Sequence, residues 1–328
     1  MKKKVTFKGI WGVLKASFTG FSDDKVTKMS GSLAYSTVFS MAPLLIVIIS
    51  LCGIFLGREA IEGSIYGQLE GFMGRESAIQ LQQIIKNASL SGKSTMATII
   101  GIITLLVGAT AVFSEIQDSI NIIWGLKPKP KRGWVKILQN RFLSFSVIIS
   151  LGFILLVSLG LTAVIDGFSN HLKDIFPGIG VVIFYIVNQS ITLIITTVIF
   201  AVIFRVLPDA DIRWRDVASG AIVTALLFML GRLGISLYIS KSDIGSTYGT
   251  AGALVILLLW TYYSSIILYF GAEFTKAYAV EYGSEIHPSQ YAVTTKQVEV
   301  ETGNASVQEV ENKDIVAKST GDIKLTVK

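Results

Sequence analysis

Polar side chains inside two long apolar stretches are the first candidates for chemistry. Asn188, Thr192 and Thr196 recur every four residues and so share one face of a predicted helix, with Gln189 beside them. Arg232 interrupts a second apolar stretch. Because a charge near the centre of a membrane helix costs at least about 2.5–3.5 kcal/mol, Arg232 is expected to face protein or water.

Arg232 has two interpretations. As a functional group, it would attract anions or act as a gate in an outward-facing cavity shared with Asn188 and Gln189. As a structural group, it would extend its guanidinium towards the membrane surface or pair with Asp166 or Asp243. The sequence alone leaves both open.

Ser36, Ser40 and Pro43 bring polar groups and a helix breaker into the first apolar stretch. Proline in a membrane helix frees a backbone carbonyl, which Ser, Thr or water then satisfies, so a kink is predicted near Pro43. These residues could form a broken helix that lines a transport pathway. Alternatively, they are small hydrogen-bonding contacts that let helices approach closely.

Four charged residues are expected at similar depth on the cytoplasmic side of the membrane. They are Glu115, Asp118, Arg205 and Glu273. In the structural interpretation they form an ionic network that connects three helices. In the functional interpretation they form a site that couples transport to protons or ions.

The composition indicates the class of protein that must position these groups. The 328-residue chain is 51% hydrophobic and only 16% charged, whereas soluble domains carry about 25% charged residues. The single cysteine, Cys52, excludes an intramolecular disulfide and a cysteine-rich metal site. We therefore expect an all-α integral membrane protein.

The clearest membrane segment is Gly245–Ala272, which contains no charged side chain. About 20 apolar residues suffice for a helix to cross the bilayer core, and five similar stretches precede this one. The six predicted transmembrane helices cover about 30–56, 94–114, 142–165, 180–204, 217–239 and 247–272. Together they define a transmembrane domain over 30–280.

Segments outside this domain differ in composition. Residues 1–29 combine lysines with apolar residues at positions 7, 10, 11, 14, 18 and 21, the spacing of one helical face. They predict an amphipathic helix in the cytoplasmic headgroup region, or alternatively a helix packed beneath the bundle. Residues 281–328 lack a sustained period and predict a disordered cytoplasmic tail.

The distribution of positive charge predicts the orientation. The amino terminus and the connections after helices two and four hold sixteen Lys and Arg, against six in the other connections. Because positively charged loops stay in the cytoplasm, both termini are predicted to be cytoplasmic. The net charge of +6 is thus explained by topology, and nucleic acid is not an expected partner.

Several strings resemble the YihY/BrkB family of bacterial inner-membrane proteins, in order, over about residues 10–280. They are LAYSTVFSMAPLLIVI (33–48), SINIIW (119–124), FRVLPDADIRWRDVASGAI (204–222) and YGTAGALVILLLWTYYSSIILYFGAEFTKA (248–277). The resemblance implies a six-helix protein of the inner membrane. Members have been discussed as transporters, including of lipid-like substrates, and as virulence factors for serum resistance, and the family supplies no agreed catalytic residues.

The family has also carried the label ribonuclease BN, widely regarded as a misattribution, and this sequence offers little support for a nuclease. Only two histidines occur, His171 and His287, so a histidine-rich metal site is excluded. A carboxylate-only Mg²⁺ site near Glu115 and Asp118 stays conceivable. No P-loop, dinucleotide fingerprint or HExxH string is present.

The leading hypothesis is therefore a transporter or permease for a lipid-like or anionic solute, with no enzymatic activity. A membrane scaffold or envelope-integrity factor is the alternative, and a membrane-embedded enzyme is third. No catalytic, cofactor-binding or metal-binding residue is expected. The expected partners are membrane lipids, with self-association as an open alternative. A pore-connected cavity lined by Asn188, Arg232 and Ser40 would favour transport, and a dry bundle would favour the scaffold.

Overall fold

The computed structural model describes residues 6–40, 79, 111–128, 179–242, 248, 252–283, 285–289 and 292–295. The chain divides into two units, Met1–Thr294 and Thr295–Lys328, and the helices and strands below lie in the first. The third predicted span, Pro43 and the chain beyond 295 lie outside the described residues, as do most of the second span and the latter half of the first.

The first helix, α1, spans Phe7–Asp23. Its amino-terminal cap is Thr6, which is extended and whose Oγ1 accepts a hydrogen bond from the Gly9 N–H at 3.2 Å. Lys25 has a φ of 54°, so the chain turns sharply there into a second helix, α2, described over 26–40. The predicted amphipathic segment is therefore a helix that breaks just before the first apolar stretch.

A third helix, α3, is described over 111–123 and leads into strand β1, Leu126–Pro128. Gly125 lies between them with a φ of 67°, a conformation that favours glycine. This turn sets the direction in which the chain leaves the helix, so β1 follows directly on the polar end of α3.

Three long apolar helices follow: α4, Ile179–Val206; α5, Trp214–Lys241; and α6, Gly252–Tyr282. Their segments Gln189–Val206, Trp214–Ile235 and Leu254–Tyr282 are each long and apolar enough to cross a membrane. The described part of the chain is thus mostly helical, with three candidate membrane spans where the sequence predicts helices four, five and six.

Helix α5 packs against both α4 and α6, and α6 also packs against α1. Many large apolar side chains on these helices remain exposed, among them Ile194, Leu230, Leu233 and Leu237. In water such a surface would be unfavourable, whereas lipid covers it without cost. The exposure pattern therefore agrees with helices that cross a bilayer.

The buried core lies at one end of this bundle. The largest fully buried side chains include Ile120 and Ile123 of α3, Phe204 of α4 and Tyr269 of α6. At this end α3, α4 and α6 finish and α5 begins. We call it the polar end, because short polar connections and strands cover it.

Two small antiparallel sheets close the polar end. Strand β2, Ala210–Asp211, pairs with β3, His287–Pro288, and β1 pairs with β4, Ala292–Thr294. The predicted tail starts at 281, but α6 continues to Tyr282 and the chain stays paired through Thr294. Backbone pairing with β1 and β2, which composition does not reveal, holds these described residues, and the predicted boundary of the tail stays a prediction.

Candidate functional site at the polar end

A pair of reciprocal hydrogen bonds fixes α3 to the turn after α4. Asn121 is 2% exposed; its Nδ2 donates to Asp209 Oδ2 at 3.1 Å, and its Oδ1 accepts from the Asp209 N–H at 2.9 Å. The Ser289 N–H in turn donates to the Asp209 carbonyl at 2.9 Å. A buried amide needs such partners, so these bonds hold three distant segments in one arrangement.

Trp124 fixes the same end of α3 to α6. Its side chain is buried, and its Nε1–H donates to the Ala272 carbonyl at 3.1 Å. Indole has one donor and no acceptor, so this bond satisfies the side chain fully. Asn121 and Trp124 both lie in the string SINIIW, and their partners lie in FRVLPDAD and YFGAEF. Three of the four strings that carry the resemblance therefore meet in space.

A cavity of about 760 Å³ lies beside this framework. The side chains that line it include Arg205 from the last turn of α4, Trp214 from the first turn of α5, and Arg213 just before it. Guanidinium groups present several donors in a planar fork that matches phosphate and carboxylate groups. The cavity is therefore suited to an anionic group.

The cavity also contains acidic side chains, which limit its positive charge. Arg205 Nη1 lies 3.8 Å from Asp211 Oδ1, and His287 Nε2 lies 3.5 Å from Glu285 Oε2. Asp211, Glu285 and His287 are each at least two-thirds exposed, so solvent screens these pairs and each contributes little to stability. An arriving anion could therefore displace Asp211 from Arg205 at low cost.

A second group of charges lies between α1 and α6. Glu273 is 2% exposed and sits against Gly20, and Lys276 Nζ lies 3.8 Å from Asp24 Oδ2. No sequence pattern singled out Asp24 or Gly20, because their contacts with α6 cross most of the chain.

The predicted cytoplasmic network involves residues that all lie on described helices. Glu115 is half-buried and Asp118 exposed on α3. Arg205 pairs with Asp211, and Glu273 neighbours Asp24 and Lys276. A single network joining the four predicted residues stays a prediction.

The predicted pathway residues are only partly described. Ser40 is buried, and its Oγ donates to the Ser36 carbonyl at 2.6 Å. Gln189 and Thr192 are half-buried on α4, and Arg232 is half-buried on α5. Asn188 lies in α4, with its side chain outside the described part. A shared pathway stays a prediction.

Asn121 and Asp209 are residues that the sequence reasoning missed. A usable signal existed, since each lies in one of the quoted strings, SINIIW and FRVLPDADIRWRDVASGAI. Within the described ranges, no group of three or more His, Cys, Asp or Glu side chains is placed to hold a metal ion.

Comparisons with known proteins agree with the membrane architecture. Residues 17–293 match the family model described as virulence factor BrkB. The UPF0761 membrane protein of Alteromonas mediterranea is 26% identical over 257 residues, 77% of this chain and 83% of the relative. That of Ralstonia nicotianae is 27% identical over 258 residues, 76% of this chain and 55% of the relative. No solved structure matches the chain.

Proposed function

We propose that this chain, which belongs to the BrkB family of bacterial membrane proteins, is a transporter of an anionic, lipid-like solute. In this proposal the chain crosses the inner membrane six times, both termini are cytoplasmic, and it has no enzymatic activity. Membrane lipids are its partners.

The observation that carries the proposal is the cavity of about 760 Å³ at the polar end. Arg205 lies at the end of one candidate span and Trp214 at the start of the next, with Arg213 between them. Tryptophan and arginine at the ends of membrane helices sit at headgroup depth. A lipid phosphate would therefore meet guanidinium donors there, beside an indole ring that is compatible with the interface.

The exposed face of α1 supports a location at the cytoplasmic surface. Phe7 is 90% exposed and Trp11 is also exposed, with exposed Lys8 and Lys15 on the same helix. Phe18 is partly exposed, and the centroid of its ring lies 4.9 Å from that of Phe270 on α6. An apolar face flanked by lysines suits a helix at the surface of an anionic leaflet. This helix would keep the polar end close to lipid headgroups.

Reconstitution in liposomes tests the proposal. The full chain should move a fluorescent phosphatidylglycerol analogue between leaflets faster than a phosphatidylcholine analogue, as measured by dithionite quenching. Arg213→Ala should slow the anionic lipid selectively, because it removes a cation from the cavity wall. Arg215→Ala is the matched control, since Arg215 is exposed and does not line the cavity.

Equal rates for both lipids, or equal effects of the two arginine substitutions, would contradict the anionic cavity as the substrate site. Arg232 has a separate test. If Arg232→Ala preserves lipid movement but lowers thermal stability, its role is structural rather than part of a pathway.

A membrane scaffold is the second candidate, and one observation favours it. Several hydroxyl side chains on the described helices donate to the carbonyl four residues earlier, including Ser40, Thr197 and Thr261. A hydroxyl that already donates to a carbonyl of its own helix does not need water as a hydrogen-bond partner. These hydroxyls are therefore compatible with a bundle that contains no water-filled pathway. Absence of protein-dependent movement for any lipid or anion tested would favour this candidate.

A further inference from the structure

Glu273 of α6 carries a carboxyl group that is buried at the contact with α1. The residue is only 2% exposed, and it is the first charged residue after the long apolar stretch of α6. Gly20 of α1 lies against it so closely that a Cβ there would collide with Glu273 Oε2. The missing side chain of Gly20 thus makes room for a buried acid.

The hydrogen-bonding capacity of this acid is only partly used. Within the described part of the chain, Glu273 Oε1 has no hydrogen-bond partner. Asp24, the residue after the end of α1, is held beside this group: its N–H donates to the Gly20 carbonyl at 2.9 Å, and its Oδ2 lies 3.8 Å from Lys276 Nζ. Two ionised carboxylates have acceptors only, so a hydrogen bond between them requires a proton on one of them.

The surrounding charges leave a negative excess. Lys276 is the cation next to both acids, with its Nζ 3.8 Å from Asp24 Oδ2. Asp23 adds a further acid from α1, and Glu281 adds one from α6 at the edge of the same space. The carboxyl end of α1 adds partial negative charge, and its last turn carries no basic residue.

A cavity of about 250 Å³ opens beside these groups. Gly12, Ala16 and Gly20 of α1 line one wall, and Glu273 and Lys276 line the other. Such a space can hold water, provided that polar groups are present to bind it. It therefore offers a route by which Glu273 can exchange a proton with the solution.

We propose that Glu273 and Asp24 form a proton-binding site at the contact between α1 and α6, in which the two carboxyls share one exchangeable proton. Lys276 balances one of the two negative charges, and the proton balances the other. Release of the proton leaves two adjacent carboxylates, whose repulsion weakens the docking of α1 on α6. The site holds whether or not the chain transports a lipid.

Infrared difference spectroscopy of the full chain in lipid nanodiscs tests the site. The native chain should show the carbonyl band of a protonated carboxylic acid at neutral pH, and this band should disappear at alkaline pH. Glu273→Gln should lose the band. Asp24→Asn should lose it too, because the new amide donates to an ionised Glu273 without a shared proton. The control Glu285→Gln, on an exposed side chain, should retain it.

Retention of the band in either Glu273→Gln or Asp24→Asn would overturn the proposal. So would a native chain without the band, or a band that appears only when choline replaces sodium, which would identify a metal ion as the occupant. If Glu273→Gln does not fold, Asp24→Asn decides the question alone, since the Asp24 side chain is partly exposed.

Discussion

Replacing Gly271 by alanine should destabilise the contact between α5 and α6. Gly271 and Thr275 of α6 face Thr224 and Gly220 of α5, so that each glycine lies against a threonine of the other helix. Both threonines are fully buried, and each Oγ1 donates at 2.7 Å to the carbonyl four residues earlier in its own helix. The two helices therefore approach through small residues whose hydroxyls are already satisfied.

The geometry sets the size of the effect. A Cβ at Gly271 would collide with Thr224 Oγ1 and would also lie 2.7 Å from Thr224 Cγ2 and 2.9 Å from its Cβ. The shorter distance is about 0.8 Å below the normal range of carbon–carbon contact. Relieving such an overlap costs about 1–3 kcal/mol. Replacing a helical glycine by alanine also stabilises the helix by about 0.8–1 kcal/mol. The control must therefore be another Gly→Ala substitution within a helix.

Gly234→Ala is that control, because Gly234 lies on α5 and a Cβ there meets nothing within 4 Å. We expect Gly271→Ala to have a free energy of unfolding about 1–3 kcal/mol below that of Gly234→Ala. Equilibrium unfolding by SDS in mixed micelles, followed by tryptophan fluorescence, measures the difference. Thr224→Ala should recover part of the loss in the Gly271→Ala background, since it removes the colliding Oγ1 and Cγ2 atoms but keeps the Cβ.

If Gly271→Ala and Gly234→Ala unfold at the same SDS fraction, the proposed close approach of α5 and α6 is wrong. An additive double variant would lead to the same conclusion, because residues in contact should show coupling of at least about 0.5 kcal/mol.

Three further substitutions test the polar end and the docking of α1. Asn121→Ala should lower the free energy of unfolding by about 1–3 kcal/mol, measured by the same unfolding assay, because it removes the two hydrogen bonds that a buried amide makes to Asp209. Trp124→Phe removes one buried hydrogen bond and should cost about 1 kcal/mol in that assay; no change would mean that the indole N–H bond is dispensable. Gly20→Ala should expose α1 to limited proteolysis, whereas Gly12→Ala, with open space around its Cβ, should not; equal protection would contradict the Gly20 contact.

The sequence predicted the three long helices α4, α5 and α6 because their signal is local. An uncharged stretch such as Gly245–Ala272 is visible without knowledge of its neighbours, and α6 covers most of it. The predicted ends of the membrane spans stay predictions. α6 itself continues past Glu273 to Tyr282, and α1 lies against this acid.

The contacts that build the polar end could not be predicted from the same signal. Asn121 and Asp209 are 88 residues apart, and Trp124 and Ala272 are 148 apart. In helices that are apolar on every side, hydrophobic periodicity no longer marks the packing face. Small residues such as Gly220 and Gly271 mark it instead, but the sequence does not say which pairs meet.

The same reasoning explains why α1 was ambiguous between a surface helix and a packed one. Phe7 and Trp11 are exposed, whereas Val13 is buried against Phe274 and Tyr282 of α6. Gly9 and Gly20 also contact α6. In a soluble protein the apolar face would be the buried one. On α1 part of the apolar surface stays exposed, and Gly20 brings the backbone of the helix within reach of Glu273. The helix thus has an exposed apolar side and a packed side that covers the Glu273 carboxyl, and hydrophobic periodicity alone does not separate the two.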